Sequence, residues 1–169
     1  MSNSLGTKQY APALAPARRR GARRPPGADG GLDHGLLPRL VGYQLRLAQL
    51  AVFRDFDRAT ADLGLSPGRF GMLVLIEANP GVTQTELARA VGLDRSTLVA
   101  LLDQLEDRRL VARRQGEDRR TNGLWLTAAG ERLLGKVKRR VAAHEARVAA
   151  RLTPAERELL LAVLPRLGQ

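Results

Sequence analysis

Arginines carry the most suggestive chemistry in this sequence. Arg95 stands beside Ser96 and Thr97 at the head of a leucine-bearing segment, and the pairs Arg113-Arg114 and Arg119-Arg120 flank a short polar run. A guanidinium group is a planar fork of donors that matches phosphate oxygens and the O6/N7 edge of guanine. The chemistry these residues offer is recognition of a polyanion. Bond-making chemistry lacks its parts: no HExxH, Walker A loop or nucleophile elbow occurs. The chain has no cysteine, which removes disulfides, thiolate zinc sites and thiol switches. His34 and His144 fall in no metal-ligand motif and read as surface histidines. The expectation is a non-enzyme with no metal and no cofactor.

Composition agrees. Lys and Arg total 28 against 17 Asp and Glu, a formal charge of +11, so the protein's field favours polyanions, with nucleic acid first among them. A length of 169 residues, 44% hydrophobic and 27% charged, suits one compact domain with tails. The longest uncharged apolar run, Phe70 to Ile76, is far short of the roughly 18 residues that span a bilayer, and no membrane partner is expected. Pro25-Pro26-Gly27 follows the N-terminal arginines where a secretory core would lie, and prolines interrupt any transit helix. A cytoplasmic, nucleoid-associated protein is the expectation.

These arginines need elements to position them. Residues 1–31, rich in Ala, Pro, Gly and Arg, read as a flexible basic arm, and residues 32–169 as a single domain. Apolar residues from Leu36 to Leu63 recur at three- and four-residue spacing, predicting one long amphipathic helix. Ser66-Pro67 opens a second, apolar helix carrying FGMLVLI, which must stop at Asn79 before Pro80. Thr83 to Glu86 is a capping box for a third helix ending at Gly92, and Asp94 caps a fourth running to about Asp107. LVARR (110–114) and LWLT (124–127) predict a hairpin with a charged tip, with Asn122-Gly123 as its turn signal. Thr127 caps a fifth helix to about Ala150, and Thr153-Pro154 opens a sixth.

The stretch QTELARAVGLDRSTLVALLD (84–103) has a helix-turn-helix layout, with Leu87, Val91, Leu93, Leu98 and Leu101 inward, small Ala88 at the crossing and Gly92 at the turn. With the basic hairpin behind it, the segment resembles a winged helix-turn-helix. The run DRRTNGLWLT (118–127) is similar to the wing signature of the MarR family. Leu65-Ser66-Pro67, the LDRST start of the fourth helix, the TAAG exit and the six-helix order resemble that family as well. The resemblance implies a mainly α fold with a small β-hairpin wing, dimerised through terminal helices 32–63 and 128–168 around a winged lobe 66–127.

It further implies that the fourth helix enters the major groove and the wing a minor groove. Arg95, at the helix start, is the expected base reader, with Ser96 and Thr97 on phosphate or a thymine methyl. By family analogy Arg120 enters the minor groove and Asp118 holds the hairpin; Arg119 contacts phosphate. Arg113 and Arg114 extend the basic edge, and Thr83 and Thr85 contact backbone phosphates. Val99, Ala100 and Gln104 depart from the groove contacts common at those positions.

Apolar stripes on the terminal helices exceed what one chain covers, which with the family's pattern implies a homodimer on a pseudopalindromic operator. Family members commonly release DNA on binding a small anionic, often aromatic, effector. Tyr43, Arg46, Phe53, Arg69, Phe70 and Met72 are the candidates to line its crevice, with an aromatic acid or its coenzyme A thioester as ligand. The expected function is a sequence-specific repressor of double-stranded DNA. A ligand-independent architectural protein is the alternative, distinguished by weak sequence preference and no release.

Overall fold

The structure is a computed structural model that describes residues 32–115 and 122–168. The expectations for residues 1–31 and for Asp118, Arg119 and Arg120 lie outside the described residues. The chain divides into two units, Met1–Arg39 and Leu40–Gln169. In the first, the Gly35 N–H donates to the Asp33 carboxylate at 2.9 Å, and Leu37–Arg39 forms a single 3-10 turn.

The second unit opens with α1, Val41–Thr60. The expected helix begins near Leu32 and runs unbroken to Leu63; the observed one starts later. Pro38 lacks the backbone donor that an α-helix running through it would need, and Leu40 is extended at φ −92°, ψ 124°. After a 3-10 turn at Ala61–Leu63, Gly64 reverses the chain in the left-handed conformation, φ 59°. The second helix, α2 (Pro67–Ala78), begins as the sequence predicts, with the Ser66 side chain accepting from the Arg69 N–H. It inserts Met72, Leu73 and Ile76 into the core.

α3 (Gln84–Val91) and α4 (Arg95–Asp107) follow, joined through Gly92 at φ 68°. Strands β1 (Val82–Thr83), β2 (Val111–Gln115) and β3 (Asn122–Leu126) form one antiparallel sheet in the order β1-β3-β2. β1 was not legible, because two residues carry no alternation. Asn122 and Gly123, expected in the turn, belong to β3. A side-chain carbon on Gly123 would lie 2.5 Å from the Trp125 ring and 2.7 Å from the Gly81 carbonyl, so this glycine is required by close approach and not by a turn.

α5 (Ala128–Ala149) and α6 (Pro154–Val163) complete the chain, both capped as expected by Thr127 and Thr153. Leu87, Leu98, Leu102, Leu105, Leu110, Leu124, Leu134 and Val137 join the α2 residues and Phe56 in one core, which fixes the rotation of α4 and the base of the wing.

Candidate nucleic-acid interface

The start of α4 is built by Asp94. Its carboxylate accepts from the Thr97 N–H at 2.9 Å, the Ser96 hydroxyl at 2.5 Å and the Thr97 hydroxyl at 2.6 Å. These bonds, the Ser96 hydroxyl's first, hold the Asp94 carboxyl well below the usual carboxylate range. Ser96 and Thr97 are exposed, as expected of a reading surface, but their hydroxyl protons are committed to the cap. Arg95 is exposed beside them. Since Leu98, Leu102 and Leu105 are turned inward, the opposite side of the same helix must face solvent.

Arg95 lines a concavity of about 240 Å³ with Thr83, Gln84, Thr85 and Asn122. Of these, Gln84 and Asn122 escaped the sequence reading. Thr83 is half committed: its N–H and hydroxyl both donate to Glu86 Oε2, at 2.9 and 2.7 Å, and its oxygen accepts from the Glu86 N–H. The Thr83 N–H, ahead of its hydroxyl, lowers the Glu86 pKa. Thr85 is exposed on the first turn of α3. One cation and several amide or hydroxyl groups thus surround a shallow notch at two helix N-termini, an arrangement suited to phosphate.

The two wing arginines within the described residues differ. Arg113 turns onto α4, pairing with Asp103 at 2.8 Å and with Glu106. It locks β2 to the fourth helix, in place of the outward basic edge expected from the sequence. Arg114 is exposed, with its guanidinium carbon 5.9 Å from the centre of the Trp125 ring. Arg113→Ala is therefore expected to lower stability by about 1 kcal/mol in thermal melts. Arg114→Ala should leave the melt unchanged and reduce the slope of log affinity for DNA against log salt by about 1.

The six residues expected to line an effector crevice stand in different surroundings in the single chain. Met72 is buried and serves the core, and Phe70 covers its edge with its ring centre 5.8 Å from that of Phe56. Tyr43 is half-buried, and Arg46 and Phe53 are exposed on α1. Arg69 lines a cavity of about 450 Å³ between the end of α1 and the start of α2.

His144 also departs from expectation. It is buried at 2% exposure, with Nδ1 2.7 Å from Asp55 Oδ2 and its ring edge-on to Phe56. Asp55 further accepts from Arg147 at 2.9 Å and Arg58 at 3.0 Å. The cluster ties α1 to α5. A signal for it was present, since Asp55 falls on the inward stripe of α1 next to Phe56, but the partner lies 89 residues away. The His144 bond first, then Arg147, depresses the Asp55 pKa strongly. A carboxylate with a lowered folded pKa stabilises the protein above its unfolded value and loses that contribution as pH falls. Thermal melts should be level down to about pH 5 and decline below roughly pH 4. Asp55→Asn should melt lower at neutral pH and show a shallower acid decline.

Among the described residues no helix is long and apolar enough to cross a membrane, and no cluster of acidic or histidine side chains suits a metal ion.

Residues 63–121 match the model of the MarR family. The transcriptional regulatory protein named for the hcr operon of Thauera aromatica is 39% identical over 138 residues, which cover 80% of this chain and 83% of that protein. CouR, a transcriptional repressor solved on a 23-mer DNA duplex, matches with a TM-score of 0.77 at 41% identity, over 82% of this chain and 99% of its own. CouR bound to p-coumaroyl-CoA matches at the same TM-score and 39% identity, with the same coverage of both chains.

Proposed function

Because this chain belongs to the MarR family of transcriptional regulators, we propose that it is a homodimeric repressor that releases its operator on binding a small anionic aromatic molecule. The observation that carries this reading is the exposed, capped start of α4, with Arg95 in a polar notch, on a chain that is similar to DNA-bound CouR over 99% of CouR's length.

In this reading α4 enters the major groove, where Arg95 donates its fork to guanine. Thr85, Gln84 and Asn122 meet phosphate around the notch, and Thr83, its donors given to Glu86, holds the notch in shape. The methyl of Thr97 meets a thymine, while Ser96 serves the cap. Arg114 adds charge along the wing, and Arg119 and Arg120 reach phosphate and the minor groove from a tip held by Asp118. Arg113 positions the strand. The exposed apolar faces of α1 and α6 pair two copies, setting the half-sites of a pseudopalindrome about one helical turn apart. CouR's ligand, p-coumaroyl-CoA, makes an aromatic acid or its coenzyme A thioester the effector class proposed here. The protein acts at the nucleoid by binding and release, without turnover of the effector.

Footprinting on the DNA beside its own gene tests this, with p-coumaroyl-CoA and a panel of aromatic acids added in turn. A palindromic protected site, cleared by a member of the panel, is expected. Arg95→Ala should weaken binding by about 1–3 kcal/mol per half-site and relax preference at one base pair. No protected site, or one indifferent to Arg95→Ala, overturns the reading.

A further inference from the structure

The cavity between the end of α1 and the start of α2, about 450 Å³ and lined in part by Asp57, Thr60, Ser66 and Arg69, shares no lining residue with the notch at Arg95. We propose that it is an oxyanion site, for a carboxylate or a phosphate, whose occupation draws Arg69 away from Gln104 and so loosens α4. The inference rests on the ligand-responsive reading above and gives it a route.

Arg69 is held in an incomplete arrangement. One of its terminal nitrogens donates to the side-chain carbonyl of Gln104 on α4, while its Nε is buried with no partner. The ion pairs among the described residues engage Arg58, Arg113, Lys138, Arg140, His144 and Arg147, and not Arg69. The guanidinium is therefore a cation resting on one neutral acceptor. An oxyanion accepts two parallel charge-assisted bonds, from Nε and a terminal nitrogen together. It would bind the released Arg69 better than the tethered one, and that difference in affinity is what shifts an equilibrium.

The other lining groups fit this chemistry. Ser66 Oγ accepts from the Arg69 N–H at 3.4 Å and gives its own proton to no group among the described residues, leaving a donor at the cavity. The Thr60 hydroxyl is committed to the Phe56 and Leu65 carbonyls, at 3.0 and 3.1 Å, and only holds the wall. Asp57 opposes an anion, but it is exposed and screened by water.

The rim of the cavity is bonded to α4 a second time. Arg108, just after that helix, donates to the Gly64 carbonyl at 2.6 Å and the Leu63 carbonyl at 3.1 Å. The C-terminal half of α4 thus hangs from the cavity rim at Gln104 and Arg108. Freeing Gln104 removes one of the two polar ties between this rim and the C-terminal end of a helix whose other end carries Arg95.

The test uses the whole chain, with benzoate and inorganic phosphate as probes against chloride at equal ionic strength. Calorimetry reads binding, and the Gln104 side-chain amide resonance, assigned by its loss in Gln104→Ala, reads the tether. One probe is expected to bind and to shift that resonance; benzoate marks a carboxylate site and phosphate a phosphate-ester site. Arg69→Gln should weaken binding at least tenfold, Arg69→Lys less, and Asp57→Asn should tighten it several-fold. Gln104→Ala, which frees Arg69 beforehand, should bind the probe more tightly than the parent yet show a smaller probe-induced change in DNA affinity.

Neither probe binding beyond chloride, unchanged binding in both Arg69 variants, or an unmoved Gln104 resonance overturns the inference. Any of these with the footprint and its release intact leaves the repressor reading standing. A missing footprint defeats that reading alone, because the calorimetry and the resonance need no DNA.

Discussion

Gly130→Ala is expected to lower the melting temperature by about 10 °C, whereas Gly135→Ala, five residues along the same helix, raises it. A side-chain carbon on Gly130 would stand 2.0 Å from the Leu110 carbonyl oxygen, a backbone atom that cannot swing aside. That oxygen accepts from the Thr127 N–H at 3.0 Å, and the Thr127 hydroxyl, 2.6 Å from the Arg109 carbonyl, accepts in turn from the Gly130 N–H at 3.0 Å. The methyl must therefore push apart the joint at which the wing meets α5. Overpacking costs about 1–3 kcal/mol and a displaced buried carbonyl about as much again. At roughly 2–4 °C per kcal/mol for a chain of this size, the shift is large. At Gly135 a side-chain carbon meets nothing within 4 Å, so alanine there gains helix propensity of about 0.5–1 kcal/mol. Equal effects of the two substitutions in calorimetry would mean that the crossing at Leu110 is not tight. Because the joint also aims the wing, Gly130→Ala should weaken DNA binding below the melt as well.

Helix caps were legible because their cause lies within a few residues, whereas Asn122-Gly123, a turn signal by composition, belongs to β3. The Thr83 and Thr153 capping boxes, the Ser66, Asp94 and Thr127 caps and the glycine turn at Gly92 each sit where side-chain chemistry next to the chain end dictates. The leucines of α4 fixed which side of that helix is free, so Arg95, Ser96 and Thr97 were legible as a surface. What escaped depends on distant partners. His144 is polar and looked like surface, but Asp55 and Arg147 satisfy it in the interior. Arg113 looked like its neighbour Arg114 until the carboxylates of Asp103 and Glu106 were placed beneath it. Met72 lies on a helix apolar on nearly every side, which marked it for the interior where the structure buries it. Gln84 and Asn122 are neutral residues that gain meaning only by standing next to Arg95 in space.

Leu160→Glu is expected to yield a monomer that still folds and binds DNA at least about a hundredfold more weakly. α6 has no buried residue, and Leu159, Leu160, Leu161 and Leu167 are 63, 41, 56 and 58% exposed in the single chain. Leu45, Leu47, Leu50 and Phe53 on α1 are uncovered as well. An apolar surface of this extent needs a cover in water, and a second copy supplies one that is matched to it by symmetry. In the lone chain a glutamate at this position stays hydrated and costs little, so the circular dichroism of the variant should match the parent. In the paired state the same charge is buried without a partner, at about 3–5 kcal/mol, and the twofold axis doubles it. At 1.4 kcal/mol per tenfold, the dimer then dissociates at any working concentration. DNA affinity falls with it because two half-sites joined in one particle bind with an avidity about 10²–10⁴ above either alone. Sedimentation should give 18.4 kDa for the variant and twice that for the parent, with Leu160→Met retaining the dimer. A glutamate variant that sediments and binds like the parent would place the contact between copies elsewhere, and leave the apolar face of α6 to another occupant.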